Sequence, residues 1–197
     1  MKAKIIAVII AVALIVFVAK SAKVIEKGTE AQYTGVAVFD AKASSSSDWD
    51  KIAAEITGNA ADITTLDLTA LGAGKAVTLK GTVSAYDSKA NGKRNTITVT
   101  PDGYTGNAKF TVQLGSIYTG TSVRDIQTLK SFGDFTNQTE WSQYAKALNS
   151  QLDQAVVAPL AIDKSIEGKH VTITGAATAS GSNVTVTPVA KIGRAHV

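Results

Sequence analysis

The sequence predicts an α+β fold. A five-stranded OB-like β-barrel carries a helix between its third and fourth strands, behind a small N-terminal helical subdomain and a membrane-anchor helix. Three observations predict this. The hydrophobic period changes from helical to two at Lys75. Five period-two segments then occur as three plus two around a helical stretch, the element order of the OB-fold. Ahead of everything, Ile5 to Ala19 are fifteen consecutive apolar residues behind Lys2 and Lys4.

As a helix that apolar run spans ~22 Å, short of the ~30 Å hydrocarbon core. A basic start followed by a short apolar stretch is the pattern of a secretory signal. Lys20 stands where a cleavage site prefers small neutral residues, so residues 1–23 read as an uncleaved signal anchor, with Lys20 and Lys23 reaching the interface. The rest of the chain is then extracytoplasmic, tethered to the outer face of the cytoplasmic membrane. Residues 24–47, rich in Gly, Ser and Thr and ending in four serines, read as a spacer with a short apolar strand at Val36 to Phe39.

A helical subdomain is expected over 48–74. Ser47 is the expected cap, and Trp49, Ile52, Ala53 and Ile56 make one apolar stripe ending at Gly58. A second helix is expected from Asp62 to Leu71, with Ile63, Leu66 and Ala70 inward. The β domain is expected over 75–190. Its inward residues are Val77, Leu79, Gly81, Val83 and Ala85; Ile97 and Val99; Ala108, Phe110, Val112 and Leu114; Val171, Ile173, Gly175 and Ala177; and Val184 and Val186, opposite threonine-rich faces. Two hairpins echo each other: Val77-Thr-Leu79-Lys-Gly81 parallels Val171-Thr-Ile173-Thr-Gly175, and both lead to Val-Thr-Pro. A Gly inside a strand marks a bulge or a tight barrel bend.

Asn137 and Glu140 have capping-box spacing. Trp141, Tyr144, Ala145, Leu148 and Leu152 then form the stripe of a helix at about 138–157, expected to cover one open end of the barrel. The last residues, 191–197, contain IGRAHV, which matches the translation of a common sequencing-adapter read. They are read as an artefact and set aside from the fold.

Composition excludes several chemistries. With no Cys and two His in 197 residues, a disulfide scaffold, a thiolate or multi-histidine metal site, a Cys nucleophile and a lipidated Cys are ruled out. No metal and no cofactor is expected. The net charge of +4 sits at the two ends; residues 28–190 hold 13 basic against 15 acidic side chains. The outward faces of the second and third strands, Thr96, Thr98, Thr100, Lys109, Thr111 and Gln113, hold no aromatic for base stacking, so nucleic acid is not the expected partner. His170 leads its strand out of phase with Val171 and faces solvent, and no catalytic motif occurs, so the chain is not expected to be an enzyme.

One segment stands apart. Four of the eleven aromatics beyond the anchor, Phe132, Phe135, Trp141 and Tyr144, lie within thirteen residues, among Gly133, Asp134, Thr136, Asn137 and Gln138. A structural account plugs the barrel with the aromatics, caps the helix with Asn137 and pairs Asp134 with Arg124. Gln138 has no task in that account and is the natural contact for a ligand or partner.

The stretches GTSVRDI and FGDFTNQTEWSQYAKALN resemble the signature of the periplasmic lipoprotein family called domain of unknown function 2291. The resemblance rests on Arg124, Asp125, Phe132, Asp134, Phe135, Thr136, Asn137, Gln138, Glu140 and Trp141, with weaker similarity from about Phe39 to Pro188. It implies a small helical domain joined to an OB-like domain, and an envelope protein often encoded beside sugar ABC importers. One departure is that Val18-Ala19-Lys20 stands where lipid-anchored members have a lipobox Cys. The expected role is a membrane-tethered accessory or binding protein, with importer components as partners. The alternative is an OB-type module that binds an oligosaccharide or other small envelope ligand.

Overall fold

Alternating apolar and threonine residues form five main strands: β1 (Lys75–Lys89), β2 (Arg94–Pro101), β3 (Lys109–Leu114), β4 (His170–Ser180) and β5 (Asn183–Pro188). The computed structural model describes residues 38–190 and 192–194. The chain divides between Phe39 and Asp40, and every element below belongs to the unit that begins at Asp40. The expected anchor at 1–23 and most of the spacer lie outside the described residues. Among those described, no helix is long and apolar enough to cross a membrane.

The strands neighbour one another in the order β1-β2-β3-β5-β4, and β4 pairs back with β1 to close the barrel. All pairs are antiparallel except β3 with β5, where Phe110 aligns with Val184 and Val112 with Val186. Closure puts one face of every strand inside. Val77, Leu79, Val83, Ile97, Val99, Phe110, Val112, Val171, Ile173, Val184 and Val186 are at most 2% exposed, each contributing roughly 1.5–3 kcal/mol of burial.

The sequence echo is a structural repeat. Gly81 lies opposite Pro101 and Gly175 opposite Pro188. A Cβ on Gly81 would overlap the Thr100 carbonyl oxygen and stand 2.8 Å from Pro101 Cα; one on Gly175 would overlap the Thr187 oxygen and stand 2.9 Å from Pro188 Cα. Each glycine lets a neighbouring Thr-Pro backbone pass at close range.

Three inward or outward assignments differ from the sequence pattern. The β1–β2 register slips between Val83 and Ala85, so Ala85 is exposed and Tyr86 takes the inner phase opposite Ile97. This is a β-bulge, which reverses the alternation beyond it. Glu167 stabilises it by accepting the Tyr86 N–H at 2.8 Å. Gln113, expected outside, is 6% exposed. Its amide donates to Thr187 Oγ1 at 2.9 Å and the Thr119 carbonyl at 3.0 Å, and accepts the Thr119 N–H at 2.7 Å, so the loop after β3 folds over it. Ala176 is fully buried beside Ala177, because helices cover the outer face of β4.

Those helices are α1 (Ala41–Gly58), α2 (Ser122–Ile126) and α3 (Gln138–Leu152). α1 starts six residues before the expected cap. Asp40 accepts the Ala43 N–H at 2.9 Å, and the Ser45 and Ser47 hydroxyls bond carbonyls three residues back, which keeps serines tolerable inside the helix. The stripe at Trp49, Ile52 and Ile56 is buried as expected. The second helix expected at 62–71 is instead two 3₁₀ turns, Ile63–Thr65 and Leu68–Ala70. Asp62 and Asp67 each accept the N–H two residues on and the same threonine's hydroxyl, and such local bonds compete with helix propagation. Just before them, Ala61–Asp62 pairs parallel with Val77–Thr78 of β1.

The Gln138–Leu152 part of α3 makes its main contacts with other helices, and its continuation past Leu152 meets the strand ends at Asn95 and Leu114. The helix packs chiefly on α1, while α1 and α2 lie against β4 and β1. Past Leu152 it continues as a π turn, Asp153–Val157, and a 3₁₀ turn, Ala158–Leu160, which contains Pro159. Of the tail residues set aside from the fold, Ile192 is 4% exposed, and Gly193–Arg194 pairs with Val171–Thr172 of β4.

Candidate functional site

Helix α3 begins where the FGDFTNQTEW segment folds on itself. Asn137 caps α3, its side-chain oxygen accepting the Glu140 N–H at 3.0 Å, while Glu140 accepts the Thr136 N–H at 2.9 Å. Immediately before, Phe132–Asp134 is a 3₁₀ turn closed by a capping box between Ser131 and Asp134. The Ser131 N–H and hydroxyl donate to Asp134 Oδ2 at 2.7 and 3.0 Å. Those bonds hold the Asp134 carboxyl below its usual range.

The expected Arg124–Asp134 pair is not made. Arg124 Nε and Nη2 donate to Asp125 Oδ1 at 2.8 and 2.5 Å, and Asp125 Oδ2 accepts the Thr121 hydroxyl. Adjacency on α2 lets Asp125 reach Arg124 first. The guanidinium lies over the Trp141 ring, 4.2 Å from its centre, with Nη1 donating to the Trp141 carbonyl at 3.3 Å. A guanidinium over an indole face is a cation–π contact.

The four aromatics form one chain of rings. Phe132 meets Trp141 edge to face at 6.4 Å, and Phe135 lies between Trp141 at 5.0 Å and Tyr144 at 5.1 Å. Burial grades along it: Tyr144 is fully enclosed, Trp141 is half-buried and Phe132 is 50% exposed. Leu129, on the preceding loop, is 40% exposed. Thr136, Asn137 and Gln138 are exposed, and Gln138 sits on the first turn of α3 beside its free N–H end.

Beneath this surface lies a polar clamp that the sequence pattern did not single out. Lys130 Nζ stands 2.6 Å from Asp48 Oδ2 and 2.7 Å from Ser44 Oγ, and the Tyr144 hydroxyl donates to Asp48 Oδ2 at 2.9 Å. Burial pushes the Asp48 carboxyl up, and the bonds from Lys130 and Tyr144 outweigh it, leaving the group below its usual range. Burial and then Asp48 raise the Tyr144 hydroxyl, which stays protonated and donates. Gln127 ties the loop together, accepting the Lys130 N–H at 2.8 Å and donating to the Arg124 carbonyl at 3.0 Å. Glu55 of α1 accepts the Thr128 N–H at 3.0 Å. The signal for Asp48 was present in the sequence: a carboxylate in phase with Ile52 and Ile56 on a buried stripe needs a partner.

The arrangement presents the exposed Phe132 and Leu129 side chains above this clamp. Among the described residues no group of three or more His, Asp or Glu is placed to hold a metal ion. His170 Nε2 stands 2.7 Å from Asp102 Oδ2.

No curated protein matches the sequence. Among solved structures, the chain is similar to the crystal structure of an OB-fold protein from Thermotoga maritima. The TM-score is 0.52 at 13% identity, covering 80% of this chain and 99% of that one. At that identity the likeness is one of fold, and it agrees with the strand order described above. A family model described as predicted periplasmic lipoprotein (DUF2291) matches residues 70–190, and the chain belongs to that family.

Proposed function

We propose that the protein is a non-enzymatic, membrane-tethered accessory protein that docks a partner protein on the surface around Phe132, Leu129 and Gln138. The family's description gives an extracytoplasmic address. The apolar run from Ile5 to Ala19 provides the tether in a chain that has no Cys to lipidate. The partner is a component of a sugar ABC importer or its solute-binding protein, a reading that comes from the family resemblance.

The observation that carries the docking surface is a 50% exposed Phe132 mounted on a clamped base. An aromatic held at the surface by rigid neighbours is the usual energetic centre of a protein interface. Asp134 shares the turn of Phe132 and Glu140 lies on the first turn of α3, and among the described residues neither lies within salt-bridge distance of a cation. The complementary partner surface is apolar with a Lys- or Arg-bearing rim.

A photo-crosslinking residue at position 138 of the full chain, in cells, is expected to capture an importer subunit or solute-binding protein, identified by mass spectrometry. Phe132→Ala is expected to weaken co-purification of that partner by about tenfold or more while moving the melting temperature little. Undiminished co-purification with Phe132→Ala would remove the docking surface from the proposal.

A further inference from the structure

Away from the Phe132 surface, a cavity of about 250 Å³ opens between the start of β2, the end of β3 and the far end of the α3 helical run. Its apolar wall is Leu114, Val157 and Ile162, and its polar groups are Asn95, Ser116 and Asp153. Two uncommon backbone features build that wall. The π turn Asp153–Val157 widens the helix there, and Ala161 takes a left-handed conformation at φ 45° without being glycine. Both are unfavourable locally and persist only where the surroundings hold them, as they do at many binding sites.

Asp153 is the single ionisable residue lining the cavity. The Tyr118 hydroxyl donates to its Oδ1 at 3.1 Å. Burial and then Asp153 itself raise the Tyr118 hydroxyl far above its usual range, so it remains a donor. Among the described residues the carboxylate thus keeps Oδ2 without a hydrogen-bond donor, and no cationic side chain lies within salt-bridge distance of it. The C-terminal end of the helical run, Ala158 to Ala161, borders the same space and adds the negative end of the helix dipole. A half-buried carboxylate, a helix C-terminus and an aliphatic wall in one small cavity share one complement.

We propose that this cavity binds a small organic cation: one ammonium group on Asp153, and a compact aliphatic body against Leu114, Val157 and Ile162. Ser116 also lines the cavity and offers a hydroxyl to the ammonium's remaining hydrogens, while the Asn95 side-chain oxygen already accepts the Ser88 hydroxyl at 2.8 Å. The aliphatic wall selects against a bare metal ion, and the single carboxylate against an anion. The inference is independent of partner docking, because none of these residues belongs to the Phe132 surface.

The test uses the full chain in lipid nanodiscs, titrated calorimetrically with cyclohexylamine and with its neutral isostere cyclohexanol, and with empty nanodiscs as blank. The amine is expected to bind and the alcohol to bind at least about tenfold more weakly. Asp153→Asn keeps a carbonyl acceptor for Tyr118 and is expected to lower amine affinity by a similar factor. Ala158→Trp, which adds a ring at an exposed residue lining the cavity, is expected to abolish binding, and it decides the matter if Asp153→Asn fails to fold. Tyr118→Phe is expected to retain amine binding, because the carboxylate remains. Equal affinity for amine and alcohol would overturn the ligand class, and binding unchanged by Ala158→Trp, or no amine binding above the blank, would overturn the site.

Discussion

A methyl group is the smallest addition a residue can make, and at two positions of this barrel there is no room for one. Cβ atoms on Gly81 and Gly175 would overlap backbone carbonyl oxygens of the facing Thr-Pro pairs, and backbone cannot step aside as a flexible side chain does. Gly175→Ala and Gly81→Ala are each expected to destabilise by about 3 kcal/mol, at the upper end of overpacking costs, read from chemical denaturation. A neutral effect at either site would show that the strands separate freely there. Asn137→Ala removes one cap bond and should cost roughly 0.5–2 kcal/mol. Trp141→Ala should cost more, roughly 2–3 kcal/mol, below the value for a fully enclosed ring because Trp141 is half-buried. Gln138→Ala, with an exposed side chain, should leave the melting temperature nearly unchanged.

Elements show where the sequence was legible and where it was not. The five strands could be read because period two survives whenever one face is enclosed, and Val171 to Gly175 keeps that period along a strand paired on both edges. The phase beyond Ser84 could not be read, because the bulge that slips it is completed by Glu167, far away in sequence. The stripe of α1 was legible from Trp49 to Ile56; its start was not, because serines read as a linker until their hydroxyls are seen to bond within the helix. At the candidate site, the aromatics and the Asn137 cap were local signals. The choice of Asp125 over Asp134 by Arg124, and the meeting of Asp48, Lys130 and Tyr144 from three elements, depend on tertiary packing. That clamp also has a pH signature. The Asp48 carboxyl is held below its unfolded value, so its contribution is present above about pH 4 and is lost as pH falls through the lower folded value. Asp48→Asn should therefore cost roughly 1–2 kcal/mol at pH 7, as a partly exposed ion pair, and the gap to wild type should narrow by pH 3. Parallel pH profiles for the two proteins would show that the clamp does not titrate.

For the whole molecule from Asp40 onward, the question is whether the helical layer is a separate domain or a wall of the barrel. The sequence suggested a subdomain at 48–74, since the period changes abruptly at Lys75. In the fold, α1 lies against β1 and β4 and packs also on α3, and Ala61–Asp62 adds to the barrel sheet beside Val77. Trp49 and Ile52 on α1 and Ala176 on β4 are at most 6% exposed; separating helices from barrel would uncover apolar surface on both. Two layers that each complete the other's burial unfold together. Trp141→Phe leaves Trp49 as the one tryptophan, so its fluorescence reports on α1, while far-UV circular dichroism reports on strands and helices together. The two signals are expected to trace a single denaturation midpoint. A fluorescence transition at lower denaturant, with most of the dichroism retained, would mean that the barrel stands alone and that the helices, with the surface around Phe132, are an attachment free to move on it.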